Sequence, residues 1–424
     1  MTVVVIGGGP AGMMAAYASS KAGAPTILFE KNEKLGKKLY ISGKGRCNLT
    51  NNCTPNEFLK NVVSNPKFIT TALYSFPPTM TMQFFEDENV RLKVERGNRV
   101  FPESDKSSDI INAFTKALKR NNVEVKIGES VDYFEFEDDK ITSVVSNKKR
   151  VAVSAVVLAA GGLSYPATGA SEAGYKLASL AGHRIIAPRP ALCQIIVSNL
   201  FDYSKAQIPI SKTQFPTGLS LKNIAIKVID TELHKTIATD FGEALFTSNG
   251  LSGPVVLSTS SKINRCDLKN LRLIIDLKPA LSEDTLDARL IREFDLAKNK
   301  SYKSVLDELL PKSLIEVVAQ LTHIPLMKPI NSITRNERRA IVYVLKNLSF
   351  DISALGSISD SIVTAGGIAV DDINPRTMGS KLIKNLFFAG EVIDIDALTG
   401  GFNIQIALST GYLAGASAAK ASSN

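Results

Sequence analysis

The 424-residue chain contains no tryptophan, only four cysteines and only three histidines, and these shortages restrict its chemistry. None of the cysteines forms a CxxC pair, and the histidines show no metal-ligand spacing. Four scattered cysteines in a chain of this length are typical of reduced thiols in a cytoplasmic protein. The sequence therefore predicts neither a metal centre nor a disulfide-stabilised fold.

Long hydrophobic runs are also absent. No apolar segment approaches the ~18 residues that a transmembrane helix needs. The first apolar strand begins at Thr2 without a preceding basic segment, unlike a secretory signal peptide. We therefore expect a cytoplasmic protein with no membrane partner.

A strong excess of one charge is lacking as well. The 50 basic and 41 acidic residues give a formal net charge of +9, which is mild for this length. It favours an enzyme with anionic ligands over a dedicated nucleic-acid binder, whose basic residues would concentrate in one stripe. We expect a small-molecule substrate and no nucleic-acid partner; the composition leaves open whether the protein is a monomer or a dimer.

The N-terminal residues match a dinucleotide-binding unit. The β-branched run 2–6 predicts a parallel strand buried on both faces, and the sequence GGGPAG that follows fits GxGxxG. A helix is predicted over 13–22. The glycines permit the tight turn, the approach of a pyrophosphate and close helix packing, and a proline suits the first helical turn. The residues predicted to bind the pyrophosphate are Gly7, Gly9, Pro10, Ala11 and Gly12.

A second predicted strand, 25–29, ends at Glu30, about 20 residues after the glycines. A carboxylate at this position accepts hydrogen bonds from ribose hydroxyls. Glu30 and the neighbouring Lys31 are therefore predicted to contact the adenosine half of a dinucleotide. This unit alone does not distinguish FAD from NAD.

Three later segments favour FAD. The first, residues 35–51, is a glycine-rich cationic loop where NAD-binding enzymes normally continue into helix and strand. Its Lys37, Lys38, Lys44 and Arg46 offer positive charge to phosphates, and its small residues let the backbone approach a flat ligand. The predicted cofactor contacts in it are Lys38, Ser42, Gly43, Gly45, Arg46, Cys47 and Asn48.

The second segment is a buried strand from Ala155 that opens into a glycine turn, predicted to return the chain to the cofactor cleft. It follows a β-meander-like stretch whose predicted strands include Glu124–Ile127 and Lys140–Val145. The predicted cofactor contacts in the turn are Ala160, Gly161 and Gly162.

The third segment combines a strand ending at Gly390 and Glu391 with a helix beginning near Phe402. The free N–H groups of that helix would face the flavin ring and stabilise its anionic reduced form. Taken alone, the pattern fits a buried core helix after a glycine-rich turn about as well. The predicted cofactor contacts are Gly390, Glu391, Gly401, Phe402, Asn403 and Ile404.

Taken together, these segments resemble the aminoacetone oxidase/YhiN/BaiN-like family of FAD-dependent oxidoreductases. The matching stretches span nearly the whole chain. They are VVVIGGGPAGMMAA, KLYISGKGRCNLTN, RVFPESDKSSDI, LAAGGLSYPATGASEAGYKLASLAGH, VTAGGIAVDDINPRTMGSKL and LFFAGEVIDIDALTGGFNIQIALSTGYLAG.

The resemblance implies an α/β fold with a Rossmann-like FAD-binding domain of the glutathione-reductase type. It also implies an inserted antiparallel, barrel-like β-domain and a small helical subdomain. The expected boundaries are 1–190 with 355–424, 191–280 and 281–354. Val131 resembles the position whose backbone contacts the adenine in related flavoproteins. FAD is expected to be non-covalent, with NAD(P)H as co-substrate.

Three functions remain open at this stage. The first is an NAD(P)H-driven reductase that delivers hydride from flavin N5 to a conjugated C=C; the resemblance implies 3-oxo bile-acid-type steroids as one substrate class. The second is an oxidase of small amino-ketones or amines that produces hydrogen peroxide. The third is a flavin-bound protein that acts on RNA or senses redox state. We favour the reductase.

Candidate catalytic groups are few. Tyr165, just past the predicted cleft strand, could protonate a substrate, although a packed aromatic on a turn is the somewhat more common explanation. Arg46 could bind a carbonyl or carboxylate, or hold a phosphate or a loop. Cys47 and Cys53 lie six positions apart, whereas the redox pairs of flavin disulfide reductases lie closer, so we expect a structural role for Cys47.

Overall fold

A computed structural model describes residues 2–212 and 215–423 of the chain. The chain divides into two compact units, Met1–Ala191 with Ser357–Asn424, and Leu192–Gly356. The first unit is thus built from both ends of the sequence and the second is inserted between them. Within the described ranges, no helix combines the length and the apolar character needed to cross a bilayer.

The strands of the described residues form five sheets. The strands are β1 (Val3–Ile6), β2 (Thr26–Glu30), β3 (Thr50–Asn51), β4 (Leu92–Glu95), β5 (Arg99–Pro102), β6 (Glu124–Ile127), β7 (Tyr133–Glu137), β8 (Lys140–Ser146), β9 (Lys149–Ala152), β10 (Ala155–Leu158), β11 (Ile185–Ala191), β12 (Ile195–Phe201), β13 (Gln207–Pro209), β14 (Ser220–Asp230), β15 (Lys235–Phe246), β16 (Gly250–Ser252), β17 (Leu271–Asp276), β18 (Leu348–Leu355), β19 (Val363–Ile368), β20 (Ile373–Asn374), β21 (Gly379–Ser380) and β22 (Leu386–Phe388).

The α-helices of the described residues are distributed over both units. They are α1 (Pro10–Lys21), α2 (Lys37–Ile41), α3 (Pro55–Leu59), α4 (Thr70–Ser75), α5 (Pro78–Asp87), α6 (Ser107–Arg120), α7 (Ala173–Leu180), α8 (Pro254–Ile263), α9 (Glu283–Leu296), α10 (Tyr302–Leu309), α11 (Lys312–Thr322), α12 (Arg335–Lys346) and α13 (Phe402–Ser423).

The first unit is organised by a seven-stranded sheet in the order β20-β21-β22-β10-β1-β2-β6. Its five strands from β22 to β6 run parallel. The central strand β1 is completely buried, as its unbroken run of valines predicts. Helix α1 begins at Pro10, three residues before the predicted start, because proline is accommodated in the first turn, where its missing N–H is not needed.

One predicted strand belongs to a different sheet from the one expected. Glu124–Ile127 was predicted within a meander, but as β6 it pairs in parallel with β2, from Ile27↔Glu124 to Glu30↔Ile127. The meander consists of β7, β8 and β9. The helix α6 before Glu124 provides the long connection that a parallel pairing needs, so β6 extends the main sheet. Val131 follows β6 in the loop that leads to β7.

The second unit contains an antiparallel sheet in the order β13-β12-β16-β15-β14-β17-β18, and β18 also pairs with β12. That extra pairing closes six of the strands into a barrel. Helices α9 to α12 lie between β17 and β18 in sequence, and the capping box of Thr334 and Glu337 fixes the start of α12. Side chains of the barrel and of these helices share one hydrophobic core, with Phe350 and Leu286 fully buried in it.

This architecture confirms the predicted fold class: a Rossmann-type FAD-binding fold with an inserted antiparallel β-domain and a group of helices. The barrel and the helices belong to one compact unit. A separate boundary near residue 280 stays a prediction.

Candidate cofactor and active site

The carboxyl ends of four parallel strands meet at one edge of the main sheet. Pairing places Phe29, Ile6, Leu158 and Phe388 in one row across β2, β1, β10 and β22. The residues that follow each strand therefore emerge side by side. Ligands of open α/β sheets bind at this edge. The structure thus brings together the turns after all four strands, each of which contains sequence-predicted cofactor residues.

The turn between β1 and α1 combines one crowded and one open glycine. A Cβ on Gly12 would lie 1.8 Å from the carbonyl oxygen of Gly7, so that position has no room for a side chain. A Cβ on Gly9 would meet no atom within 4 Å. The open space lies directly at the N-terminus of α1, where backbone N–H groups and the helix dipole attract phosphate. This open space at Gly9, which we call the cradle, is suited to a pyrophosphate.

Glu30 ends β2 with a buried and well-oriented carboxylate. One oxygen accepts a hydrogen bond from the Gly8 N–H at 2.7 Å. The other accepts from the backbone and the side-chain amide of Asn32, at 2.7 and 2.6 Å. These donors fix the carboxylate beside the glycine turn. The oxygen that accepts from Gly8 keeps a further lone-pair site for a ribose hydroxyl.

Lys31 and Val131 lie near the same end of the sheet. The Lys31 Nζ donates to Ser171 at 2.7 Å, and the Asn32 amide donates to the carbonyl of Thr168 at 3.2 Å. These bonds connect the end of β2 with the loop before α7. Val131 is buried. Its predicted adenine contact stays a prediction.

Lys38 and Glu391, predicted separately as cofactor contacts, form an ion pair. The Lys38 Nζ lies 2.7 and 3.0 Å from the two oxygens of Glu391 and donates to the Ser164 hydroxyl at 2.6 Å. Glu391 also accepts from the backbone N–H of Thr364 at 2.8 Å. The pair therefore connects the loop after β2 with the turn after β22, at the edge where the strands end.

The glycine-rich loop adopts a backbone that only small or strained residues allow. Gly43, Lys44 and Gly45 all have φ between 57 and 82°, and Cys47 has a φ of 58°. Left-handed conformations at non-glycine residues are uncommon and frequently occur at functional sites. The hydroxyl of Ser42 donates to the carbonyl of Leu39 at 2.7 Å, so it stabilises this backbone.

The guanidinium of Arg46 is not a free cation. Its guanidinium pairs with Glu95, and its Nε donates to Asp105 at 2.7 Å. It also lies over the ring of Phe101, with Cζ 4.2 Å from the ring centroid. Because two carboxylates already hold this charge, Arg46 is less suited to bind a substrate carbonyl than its sequence position indicates. Its catalytic role stays a prediction.

The turn before α13 closes tightly against β3. A Cβ on Gly401 would lie 2.3 Å from the carbonyl oxygen of Thr50. With its amide oriented so that both groups are satisfied, Asn48 accepts from the Gly401 N–H at 3.0 Å and donates to the carbonyl of Thr50 at 3.3 Å. The loop around residue 48 and the start of α13 therefore form one rigid corner, next to Ile404 in the first helical turn.

Two predicted residues at the start of α13 have internal partners. The amide of Asn403 exchanges hydrogen bonds with the backbone of Ala397, at 2.7 and 2.9 Å. Phe402 is buried and packs edge-on against Phe58, with centroids 5.0 Å apart. Their side chains hold the turn, so any cofactor contact from this pair would come from backbone N–H groups.

Tyr165 has a strained backbone, with φ 57° and ψ 64°, and is followed by a proline. Its N–H donates to the carbonyl of Ser359 at 3.1 Å. The side chain is half-buried. Burial first, and then the nearby charge of Asp360, raise the pKa of the phenol above its ordinary value. A tyrosine phenol is protonated at neutral pH even at its ordinary pKa, and the raised pKa of Tyr165 keeps it protonated at higher pH.

Two site residues were missed because their contacts join distant segments. The Thr364 hydroxyl accepts from the N–H groups of Leu163 and Ser164, at 2.9 and 3.1 Å. Ser164 itself donates to Glu391 at 3.1 Å. Thr364 lies in the VTAGGI segment, whose paired glycines were the one available signal of a functional turn.

The thiols of Cys47 and Cys53 are held protonated. Burial raises the pKa of Cys47 to about 12 and that of Cys53 to about 11. Because the thiolate is the reactive form, neither cysteine is suited to redox exchange. We expect Cys53→Ser to keep steady-state turnover within about twofold of wild type, with Cys266→Ser as the matched half-buried control. A tenfold loss in Cys53→Ser alone would instead support a redox pair.

Comparisons with known proteins identify the family of this chain. The model of the HI0933-like protein Rossmann domain matches residues 1–417. A 3-dehydro-bile acid delta(4,6)-reductase from Clostridium scindens is 27% identical over 98% of both chains. A ribosomal RNA dihydrouridine synthase from Escherichia coli is 26% identical over 96% of both chains. The open conformation of a flavocytochrome c3 fumarate reductase aligns with a TM-score of 0.52 at 19% identity, covering 100% of this chain and 79% of that one.

The fumarate reductase shares the fold, and the two curated relatives share nearly the whole length. The family model covers almost all of the chain, from residue 1 through most of α13. The chain therefore belongs to the HI0933-like Rossmann-domain family of flavin-dependent oxidoreductases, as its motifs predict.

Proposed function

We propose that this protein is an FAD-dependent reductase that adds two hydrogens across a C=C bond conjugated to a carbonyl, with NAD(P)H as electron donor. The observation that carries the proposal is the open cradle at Gly9, adjacent to the oriented carboxylate of Glu30. Together they fit the pyrophosphate and the ribose of one dinucleotide. The two relatives support the choice of reaction, since the names of both describe saturation of a C=C bond.

The acceptor that we propose is a 3-oxo steroid of the bile-acid type, the substrate class in the name of the Clostridium scindens relative. When bound, FAD supplies the hydride transfer. The glycine turn and Glu30 bind and orient it. Lys38 and Glu391 hold the turn after β22 in place.

Addition across a C=C bond requires one hydride and one proton, so the protein must provide an acid. We assign that role to Tyr165, whose phenol is protonated at physiological pH even at its ordinary pKa and remains so to higher pH because that pKa is raised. Oxidised nucleotide and a saturated product then leave the enzyme. Because the neutral phenol persists to higher pH than usual, this group should cause no loss of activity below about pH 10, its ordinary pKa.

We expect Tyr165→Phe to slow transfer to the acceptor by roughly 100-fold, the usual lower range for loss of a general acid. Reduction of the enzyme by NAD(P)H should be unchanged, because that half-reaction needs no proton from Tyr165. The two rates are measured separately by anaerobic stopped flow. Tyr133→Phe, at an exposed tyrosine of the meander, is the control. Equal slowing of both half-reactions would contradict a proton-donor role.

A second candidate acceptor is a uridine in ribosomal RNA. The Escherichia coli relative with that activity in its name matches 96% of the chain, and the net charge is +9. The C5=C6 bond of uracil is conjugated to a carbonyl, so the same residues would serve. Transfer of hydrogen to a uridine-containing ribosomal RNA fragment, but not to a steroid enone, would decide for this candidate.

The proposal is tested with the yellow protein under anaerobic conditions. NADH or NADPH is added and the flavin band near ~450 nm is followed. Rapid bleaching, then recolouring by a steroid enone rather than by O₂, is the expected result. Bleaching by aminoacetone-like amines but by neither nucleotide would overturn it and leave the amine oxidase.

A further inference from the structure

A concentration of positive charge lies on a hairpin of the first unit and on the loop 42–48 that contacts it. Residues 42–48 and 91–106 contain seven lysines and arginines and three carboxylates, so they hold +4 of the net +9 in 23 residues. Strands β4 and β5 form the hairpin, and β3 adds a third strand. We call Lys44, Arg46, Lys93, Arg96 and Arg99 the cationic hairpin surface.

The charges on this surface are ordered by two carboxylates. Glu95 pairs with Arg46 and, at 3.6 Å, with Arg99. Asp105 pairs with Arg46 at 2.6 Å and with Lys93 at 2.7 Å. Three cations thus share two anions, and their side chains stay between 32 and 45% exposed. The result is a fixed group of cations whose positive charge exceeds the charge of the two carboxylates, and this group faces solvent.

An aromatic ring packs against two of these cations. The guanidinium carbons of Arg46 and Arg99 lie 4.2 and 5.7 Å from the centroid of the buried Phe101 ring. Stacking holds both groups in place and lowers the entropy lost when they bind an anion. Arg96 and Lys44 are exposed beside them, and neither forms an ion pair with another described residue.

The hairpin lies against the turn that leads into α13. A single amide nitrogen, Nδ2 of Asn51, donates to the carbonyl of Gly97 in the hairpin turn at 3.0 Å and to that of Gly400 at 3.1 Å. Arg96 and Arg99 flank that hairpin turn. The surplus charge is therefore next to the corner where α13 begins, the part of the site assigned to the flavin ring.

We propose that the cationic hairpin surface binds the phosphate groups of the nicotinamide dinucleotide that reduces the flavin. This inference rests on the proposed function, which requires such a donor at the flavin ring. Arg46 is held by two carboxylates, so Lys44, Arg96 and Arg99 would make the phosphate contacts, and fixed guanidinium groups suit phosphate recognition. The surface is confined to one hairpin and one loop and contains carboxylates, which suits a ligand with two or three phosphates better than a polynucleotide. NADPH, with its additional phosphate, should bind more tightly than NADH.

The test compares two double variants of the holoenzyme. Arg96→Gln/Arg99→Gln removes one exposed cation and one that pairs with a carboxylate. Lys148→Gln/Arg150→Gln makes the same change on the β8–β9 hairpin, where Arg150 pairs with Glu135. The apparent Kd for NADPH is obtained from the concentration dependence of flavin bleaching. It should rise at least tenfold in the first variant and less than twofold in the second.

A second arm separates this inference from the proposed function. The flavin is reduced by dithionite and reoxidised by the enone, so no nucleotide is involved. Normal reoxidation with a raised NADPH Kd in the hairpin variant supports the inference. Failed reoxidation in every protein, with the Kd effect present, overturns the proposed acceptor and leaves the nucleotide site supported.

An unchanged NADPH Kd in the hairpin variant overturns the inference. So does a loss of RNA retardation at low salt with the NADPH Kd unchanged, since the surface then serves a polynucleotide. Retained FAD and an unchanged unfolding temperature show that the variant is folded. Arg96→Gln alone, at an exposed position, is the fallback if the double variant unfolds, with a smaller rise in Kd expected.

Discussion

Gly9→Ala should leave the apoprotein as stable as wild type and weaken FAD binding at least tenfold, whereas Gly12→Ala should destabilise the fold itself. At Gly9 the backbone has φ −77° and ψ −179°, which alanine adopts without strain, and no atom lies near the new methyl group. The methyl group instead occupies the open cradle. A tenfold weaker Kd corresponds to about 1.4 kcal/mol.

The matched variant, Gly12→Ala, differs only in where its methyl group points. Its Cβ would lie 1.8 Å from the carbonyl oxygen of Gly7 and 3.5 Å from the Cβ of Ala159. Backbone would have to move, and forced overpacking costs about 1–3 kcal/mol or more. Thermal unfolding of the apoprotein and titration with FAD measure the two effects. Equal FAD affinity in Gly9→Ala and wild type would show that the phosphates bind elsewhere.

Gly415→Val should abolish stable folding of the first unit. Helix α13 approaches α1 so closely that a Cβ on Gly415 would lie 2.1 Å from the carbonyl oxygen of Ala15. Gly411 meets Ala11 in the same way, at 2.3 Å. Because α1 is buried along most of its length, it cannot move away to make room for a larger side chain. We expect a loss of at least about 3 kcal/mol.

The neighbouring variant Ala416→Val controls for the side chain itself. Ala416 is partly exposed on the same helix, so a valine there has room and should cost about 1 kcal/mol or less. Soluble yield and the unfolding temperature of both apoproteins are the measurements. If Gly415→Val unfolds at the same temperature as Ala416→Val, the helices do not pack at this distance.

The elements whose sequence signal lies within one short segment were predicted well. The valine run of β1, the turn from Gly7 to Gly12 and the acidic end of β2 lie within 30 residues of one another. Their roles depend on the period of burial, on backbone freedom and on short connections, all of which are visible in a single segment. The family resemblance, carried by motifs from end to end, then determined the fold class.

Ion-pair partners were not predictable in this way. The lysines and arginines of the loop after β2 were interpreted as free charges for phosphates. Three of the four instead pair with carboxylates: Lys37 with Glu33, Lys38 with Glu391 across 353 positions, and Arg46 with Glu95 and Asp105. A charged residue in a sequence reveals its sign but not its partner, because the partner is chosen by the packing of distant segments.

Strand pairing likewise separates what the sequence determines from what only the tertiary structure determines. Sequence alone determined that Glu124–Ile127 is a strand, that Glu30 ends another, and that glycines surround a dinucleotide turn. Only the tertiary structure decided that β6 extends the main sheet beside β2, and that Glu391 meets Lys38. The physical reason is that propensity and periodicity act between near neighbours in the chain. Register, burial of charge and close helix approach depend on contacts between residues that the sequence keeps far apart.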